Sequence, residues 1–353
     1  MSRFINDKYA TLDAYTPGEQ PQDKKYIKLN TNESPYPPSP ETIKAVSEAE
    51  VSNLNLYSDP VCKELKETIA KRYNLDTKNI FVSNGSDDIL NFAFMAFGKK
   101  VTYPDISYGF YKVFSALCGC EERVVPLRED FSLCADDYLK NDSMVVIANP
   151  NAPTGMILPV DNIEKIVKCN PDYVVLVDEA YIDFGGESAL SLVKKYDNLL
   201  VVRTFSKSYS LAGARLGYAM GNENLISDLE KIKYSTNPYS INRLSSRAGV
   251  AAMESCKYYM EKCALVADAR EYTSSELKKL GFVVLPSYAN FVFAKKDGLD
   301  GQKFYLELKD RGVLVRHFTS ERIKDFNRIT IGTRKQMEKF IEITKDILRS
   351  ENI

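Results

Sequence analysis

The chain has 353 residues, 44% of them hydrophobic and 27% charged, a common globular composition with apolar material for a large domain and a smaller one at roughly 150 residues per domain. Its 47 Lys and Arg against 48 Asp and Glu leave a net charge of −1, which excludes the basic footprint of a nucleic-acid binder and the charge block of a membrane-surface protein. No apolar run approaches the roughly 18 residues of a membrane span, the first residues lack the apolar core of a signal peptide, and the seven cysteines are odd in number and without CxxC spacing, so a soluble cytoplasmic protein with reduced thiols is expected.

In chain order, residues 1–30 are polar and aromatic and read as an arm. The proline-rich stretch 34–40 cannot be helix interior, and 41–49 reads as a helix. From 60 to 220, short β-branched runs at 80–82, 101–103, 124–127, 144–148, 174–177, 200–203 and 217–220 alternate with helical segments such as 61–73, 87–97 and 160–169. The runs are apolar nearly throughout, as strands covered on both faces are. An α/β fold follows, with a mainly parallel seven-stranded sheet in a large domain at 46–245. A helical stretch at 241–280 leads to shorter strands at 282–285, 290–294, 313–316 and 328–331 and a closing helix from 334. These make a smaller α+β domain at 246–353, to which part of the arm (1–45) is assigned.

No GxGxxG follows a strand, and neither GxxxxGK[ST] nor GxSxG occurs, so nicotinamide, nucleotide-hydrolase and α/β-hydrolase chemistry lack their motifs. The single His317 leaves no His-rich metal site. Four segments stand at strand ends instead, where open α/β sheets bind ligands. Gly85, Ser86 and Asp87 open a helix with exposed backbone N–H groups, an anion site that a plain helix cap would resemble. A turn containing Asn151, Ala152, Pro153, Thr154 and Gly155 follows the strand at 144–148. Asp178 closes the most apolar strand, where an acid is costly unless paired, and Tyr181 lies just beyond it. Ser206 and Lys207 follow the strand at 200–203, with Arg215 downstream. An anion hole, a carboxylate, a phenol and a lysine on neighbouring strand ends suit pyridoxal 5′-phosphate, whose chemistry the protein orients and tunes.

These residues, with Leu29-Asn30-Thr31-Asn32-Glu33-Ser34-Pro35-Tyr36 early and Arg328-Ile329-Thr330-Ile331-Gly332-Thr333 late, resemble the fold-type I aminotransferases of the aspartate aminotransferase superfamily, and within them the histidinol-phosphate branch. The resemblance implies a fold-type I pyridoxal-phosphate transferase that exchanges histidinol phosphate and 2-oxoglutarate for imidazole-acetol phosphate and glutamate. Threonine-phosphate decarboxylase and aromatic aminotransferase are the alternatives. It also implies that Lys207 forms the Schiff base and moves the proton, that Asp178 pairs with the pyridine nitrogen, and that Tyr181 donates to the ring's phenolic oxygen. Tyr108 would stack on the ring, and Gly85, Ser86, Asp87, Ser206 and Arg215 would surround the phosphate. Tyr57 would reach the neighbouring subunit's phosphate in a homodimer. Arg328, Arg316 and Asn32 would meet the substrate. One residue departs from the pattern. The superfamily has an asparagine directly before Pro-Thr-Gly, and here stands Ala152, so Asn151, a water or Tyr181 alone must serve the phenolic oxygen.

Overall fold

A computed structural model describes residues 15–350 together with Tyr9, Leu12 and Asp13. The rest of 1–14, the beginning of the expected arm, lies outside the described residues. In chain order the strands are β1 (Ile27–Lys28), β2 (Ile80–Ser83), β3 (Lys100–Pro104), β4 (Glu121–Val125), β5 (Met144–Ala148), β6 (Val175–Asp178), β7 (Leu199–Thr204), β8 (Gly217–Gly221), β9 (Val283–Val284), β10 (Phe291–Lys295), β11 (Val313–Leu314), β12 (Arg316–His317) and β13 (Asn327–Thr330). Seven of them form one sheet in the order β2-β8-β7-β6-β5-β3-β4. Only β8 runs against its neighbours, β2 and β7.

The expected seven-stranded, mainly parallel sheet is thus present, and its burial explains the apolar runs. Along β5, β6 and β7, Val145, Ile147, Val175, Val177, Leu199 and Val201 enter the core on one face. The alternate residues Met144, Val146, Leu176, Leu200 and Val202 enter the core on the other, as the two-residue period of a strand requires. Helices cover both faces, so neither set reaches water.

The expected boundaries shift at four places. The strand expected at 124–127 is Glu121–Val125, in parallel register with β3. It is an edge strand, so the exposed Glu121, Glu122 and Arg123 cost nothing there. Leu127 instead joins Ile106, Phe293, Ile323 and Phe326 in a small cluster. The helix expected at 41–49 is Pro40–Ala45, capped by the Ser39 hydroxyl, and then a separate turn Glu48–Val51. The helical stretch at 241–280 divides at Ser255 into Arg243–Glu254 and Cys256–Lys279. Finally, the strand expected at 313–316 serves two sheets. β11 pairs in parallel with β1 from the arm, while β12 pairs antiparallel with β13 in the four-stranded sheet β12-β13-β10-β9.

Residue 245, the expected end of the large domain, falls inside the helix Arg243–Glu254, whose Ala248, Val250 and Ala252 pack into the large-sheet core. The next helix, Cys256–Lys279, passes from one core to the other. Cys256 and Tyr259 belong to the large-sheet cluster, whereas Cys263, Val266, Ala269 and Leu277 belong to the cluster around β10 and β13. That second cluster also takes in Ala152, Tyr181 and Phe184 from loops of the large sheet.

Candidate active site

All strands of the large sheet except β8 end at one edge, and β8 begins there. A cavity of about 330 Å³ opens at this edge. Among the residues that line it are Ser86, Asp87, Tyr108, Asp178, Tyr181, Ser206, Lys207 and Arg215. The motif residues drawn from five separate segments therefore share one space.

The anion end is built by two glycines. Gly85 has φ +87, and a Cβ there would stand 2.8 Å from an Arg215 guanidinium nitrogen. Gly217 lies against the Ser86 nitrogen so closely that no side chain fits, which lets β8 start beside the first turn of the helix Ser86–Phe97. Arg215 donates to Asp87 at 3.1 Å and to Ser206 Oγ at 3.4 Å. Tyr108 donates to the other Asp87 oxygen at 2.8 Å. Backbone N–H groups at a helix start plus one guanidinium make a site for a phosphate-sized anion.

Asp178 ends β6 and is buried. Its Oδ2 accepts from the Tyr111 hydroxyl at 2.8 Å and its Oδ1 from the Ala180 N–H at 3.2 Å. Burial pushes its carboxyl up to about 6, although both hydrogen bonds oppose that shift. Lys207 is the mirror case. Burial, then the nearby Arg328 charge, brings its amine down to about 8, and its Nζ donates to the Thr31 carbonyl at 3.3 Å. The Tyr181 hydroxyl accepts from Asn32 Nδ2 at 2.9 Å, and its ring stands edge-on to Phe291. Burial raises this phenol, while Arg328 and Asn32 pull it back.

Arg328 lies beside the cavity with its guanidinium over the rings of Phe291 and Phe318. Nη2 donates to the Asn30 carbonyl at 3.0 Å. Its buried Nε has no partner, and no acid pairs with the group among the described residues. Burial lowers its affinity for the proton. A half-buried guanidinium with spare donors favours an anion brought in by a ligand.

Other expected site residues are placed differently. The Asn151 amide donates to the Ile106 carbonyl and to Thr154 and accepts from Ser107, so it is committed to the loop and Ala152 forms the cavity wall. Asn32 sits behind Tyr181 rather than at the cavity surface. Arg316 pairs in register with Arg328, yet it donates to the Thr16 and Pro17 carbonyls of the arm. Tyr57 is 79% exposed, stacked on Tyr239 and absent from its own chain's cavity. Sequence reasoning missed Tyr111, which lies in a helix with no motif of its own, and gave no role to Thr31 or Glu33, which line the cavity.

The match to the family described as aminotransferase class I and II spans residues 24–343. This chain belongs to that family. The histidinol-phosphate aminotransferase of Brachyspira hyodysenteriae is 52% identical over 354 residues, which cover 99% of this chain and 100% of that protein. That of Clostridium acetobutylicum is 46% identical over 351 residues, again 99% and 100%. By these identities the aminotransferase falls in the histidinol-phosphate group. A solved histidinol-phosphate aminotransferase from Clostridium acetobutylicum superposes with a TM-score of 0.86 at 24% identity over 92% of this chain and 99% of that one. One from Sinorhizobium meliloti, solved in complex with pyridoxal-5′-phosphate, gives 0.85 at 24% over 93% and 92%. Both likenesses establish the fold-type I architecture of the aminotransferase.

Proposed function

We propose that this aminotransferase transfers the amino group of histidinol phosphate to 2-oxoglutarate, giving imidazole-acetol phosphate and glutamate, with pyridoxal 5′-phosphate as its cofactor. The observation that carries the reading is the buried charge set around one cavity: Asp178 and Lys207 far from their solution pKa values, and Arg328 without an acid partner among the described residues. The residues present fit the cofactor. A Cβ at Gly85 would fill the space beside Arg215, so the anion cradle exists only because glycine stands there. Asp178 is a buried carboxylate that a protonated ring nitrogen would complete.

When bound, the cofactor supplies a reactive carbonyl carbon and a ring that accepts electron density. The chain's residues do the rest. Gly85, Ser86, Asp87, Ser206 and Arg215 hold the phosphate end, and Tyr108 covers one face of the ring. Asp178 holds a proton at the ring nitrogen by remaining ionised beside it. Tyr181 donates from its hydroxyl to the phenolic oxygen. The Lys207 amine, neutral at a modestly alkaline pH, carries the proton from the substrate carbon. Arg328, backed by the charge of Arg316, anchors the substrate's phosphate in one half-reaction and a carboxylate of glutamate in the other. Tyr57 is proposed to complete the phosphate site of the neighbouring subunit in a cytoplasmic homodimer.

A threonine-phosphate decarboxylase from Porphyromonas gingivalis shares the fold at 22% identity, and the charged anchor suits its named substrate as well. Single-turnover bleaching with each amine decides between them. Histidinol phosphate is expected to exceed histidinol in kcat/KM by about a hundredfold, the worth of one or two charge-assisted contacts. Carbon dioxide release from threonine phosphate, or equal rates for histidinol and its phosphate, would overturn the assignment. Mixing Tyr57→Phe with Lys207→Ala subunits should restore activity if Tyr57 acts across the interface, because each heterodimer then keeps one intact site.

A further inference from the structure

Three consecutive residues of the arm cross the site. The Asn30 carbonyl takes Arg328 Nη2, the Thr31 carbonyl takes Lys207 Nζ, and Asn32 Nδ2 reaches the Tyr181 hydroxyl. The last of these is held with unusual completeness. Asn32 is 1% exposed and adopts the left-handed region at φ 55, which asparagine tolerates better than most residues. Its N–H donates to Thr330 Oγ1 at 3.0 Å, and the same hydroxyl donates to Asn32 Oδ1 at 2.8 Å. The Asn290 amide donates to the Asn32 carbonyl at 3.0 Å.

Thr330 donates to Asn32 Oδ1, so the oxygen end of the amide faces Thr330 and its nitrogen faces Tyr181. The Tyr181 oxygen therefore accepts, and its own hydrogen must go elsewhere. The cavity is the open direction, because Phe291 stands edge-on to the ring on the other side. Each polar atom of Asn32 has a protein partner.

We propose that Asn32 is a positioning residue for Tyr181, donating to the phenol oxygen so that the Tyr181 hydroxyl presents its proton to the phenolic oxygen of pyridoxal phosphate. It supplies from the arm an amide that the wall at Ala152 cannot. The inference rests on the cofactor reading above. An amide donating to Tyr181 polarises its O–H and strengthens the bond to a negatively charged acceptor. Losing it should leave the acceptor less stabilised, so that it keeps its proton to a higher pH.

The test is the pH titration of visible absorption in protein loaded with pyridoxal phosphate. Asn32→Asp replaces the donor with an acceptor of the same shape, and Asn32→Gly suits the backbone while removing the side chain. Both should move the midpoint upward by about one pH unit, the scale of one hydrogen bond, and lower kcat at least about tenfold with KM little changed. Thr330→Val, which unlocks the amide, should shift the midpoint the same way, and Thr330→Ser should restore it. A group that only braced the fold would lower the melting temperature of Asn32→Asp, Asn32→Gly and Thr330→Val and leave the midpoint in place. An unmoved midpoint in either loaded Asn32 variant, or in Thr330→Val should the Asn32 variants not fold, overturns the role of Asn32 alone. A wild-type protein that shows no titrating band, or a Lys207→Ala protein that keeps it, overturns the cofactor reading and the proposal with it.

Discussion

Two buried charge clusters lie one residue apart in this protein and differ in how they are completed. Asp178 and Lys207 face the cavity with a phenol, a backbone N–H and a carbonyl as partners. Glu179 and Ser208, their immediate neighbours, turn the other way into a closed network. There Arg203 bonds Glu179 at 2.9 Å and Asp183 at 3.3 Å, with side chains only 7% and 0% exposed for the Arg203–Glu179 pair. Ser188 donates to Glu179 and Ser208 to Asp183, and the Ala189 N–H adds a further bond to Glu179. The paired cluster meets the cost of burial within the chain. The cavity cluster leaves it unmet, which is the state of groups that await a ligand. Burial alone does not mark a functional site; burial of a charge with no opposite charge paired to it does.

The largest effect should come from the least compensated group. Lys207→Ala is expected to lower turnover by about 10⁴-fold or more, the upper range for a positioned proton carrier, while the circular dichroism of the fold is unchanged. Turnover near wild type in that variant would end the assignment. Asp178→Asn should lower kcat by about 10²–10³-fold, the loss of one preorganised charge at a reacting group. The comparison sharpens in the same variant, because removing an unpaired buried carboxylate should leave the melting temperature of the cofactor-free protein level or higher. Glu179→Gln should do the opposite. Breaking a buried pair leaves Arg203 uncompensated and costs about 3–5 kcal/mol of stability, read as a lower urea midpoint, with turnover per folded molecule within about tenfold of wild type. If Asp178→Asn and Glu179→Gln destabilise alike, the distinction between the two clusters fails.

The smallest effect is a pH profile. Lys207 titrates at about 8, and only its neutral amine attacks a carbonyl. Loading of the cofactor-free protein with pyridoxal phosphate should rise about tenfold per pH unit below that value and flatten above it. A rate still climbing toward pH 10 would mean that burial does not depress this lysine.

Much of the site was legible because its signals are local. Lys207 beside Ser206, Asp178 at the end of an apolar run, and Gly85-Ser86-Asp87 opening a helix each announce themselves within a few residues. The contacts that complete them span the chain: Asn32 to Tyr181 over 149 residues, Tyr111 to Asp178 over 67 and Thr31 to Lys207 over 176. No periodicity or spacing carries such pairs. The same limit explains why Arg316 reads as a second substrate cation when its guanidinium in fact holds the Thr16 and Pro17 carbonyls.

What the sequence by itself determined is the sheet and the inventory of chemistry at its edge. Apolar β-branched runs force strands covered on both faces, and the residues directly after them must gather along one edge. Only the tertiary structure decided how those residues are oriented and charged. Two-residue strands such as β1 and β11 have no pattern to read, yet their pairing helps bring the arm across Lys207, Tyr181 and Arg328. The direction of a hydroxyl proton and the pKa of a buried amine depend on distant groups and excluded water, which exist only once the chain has folded.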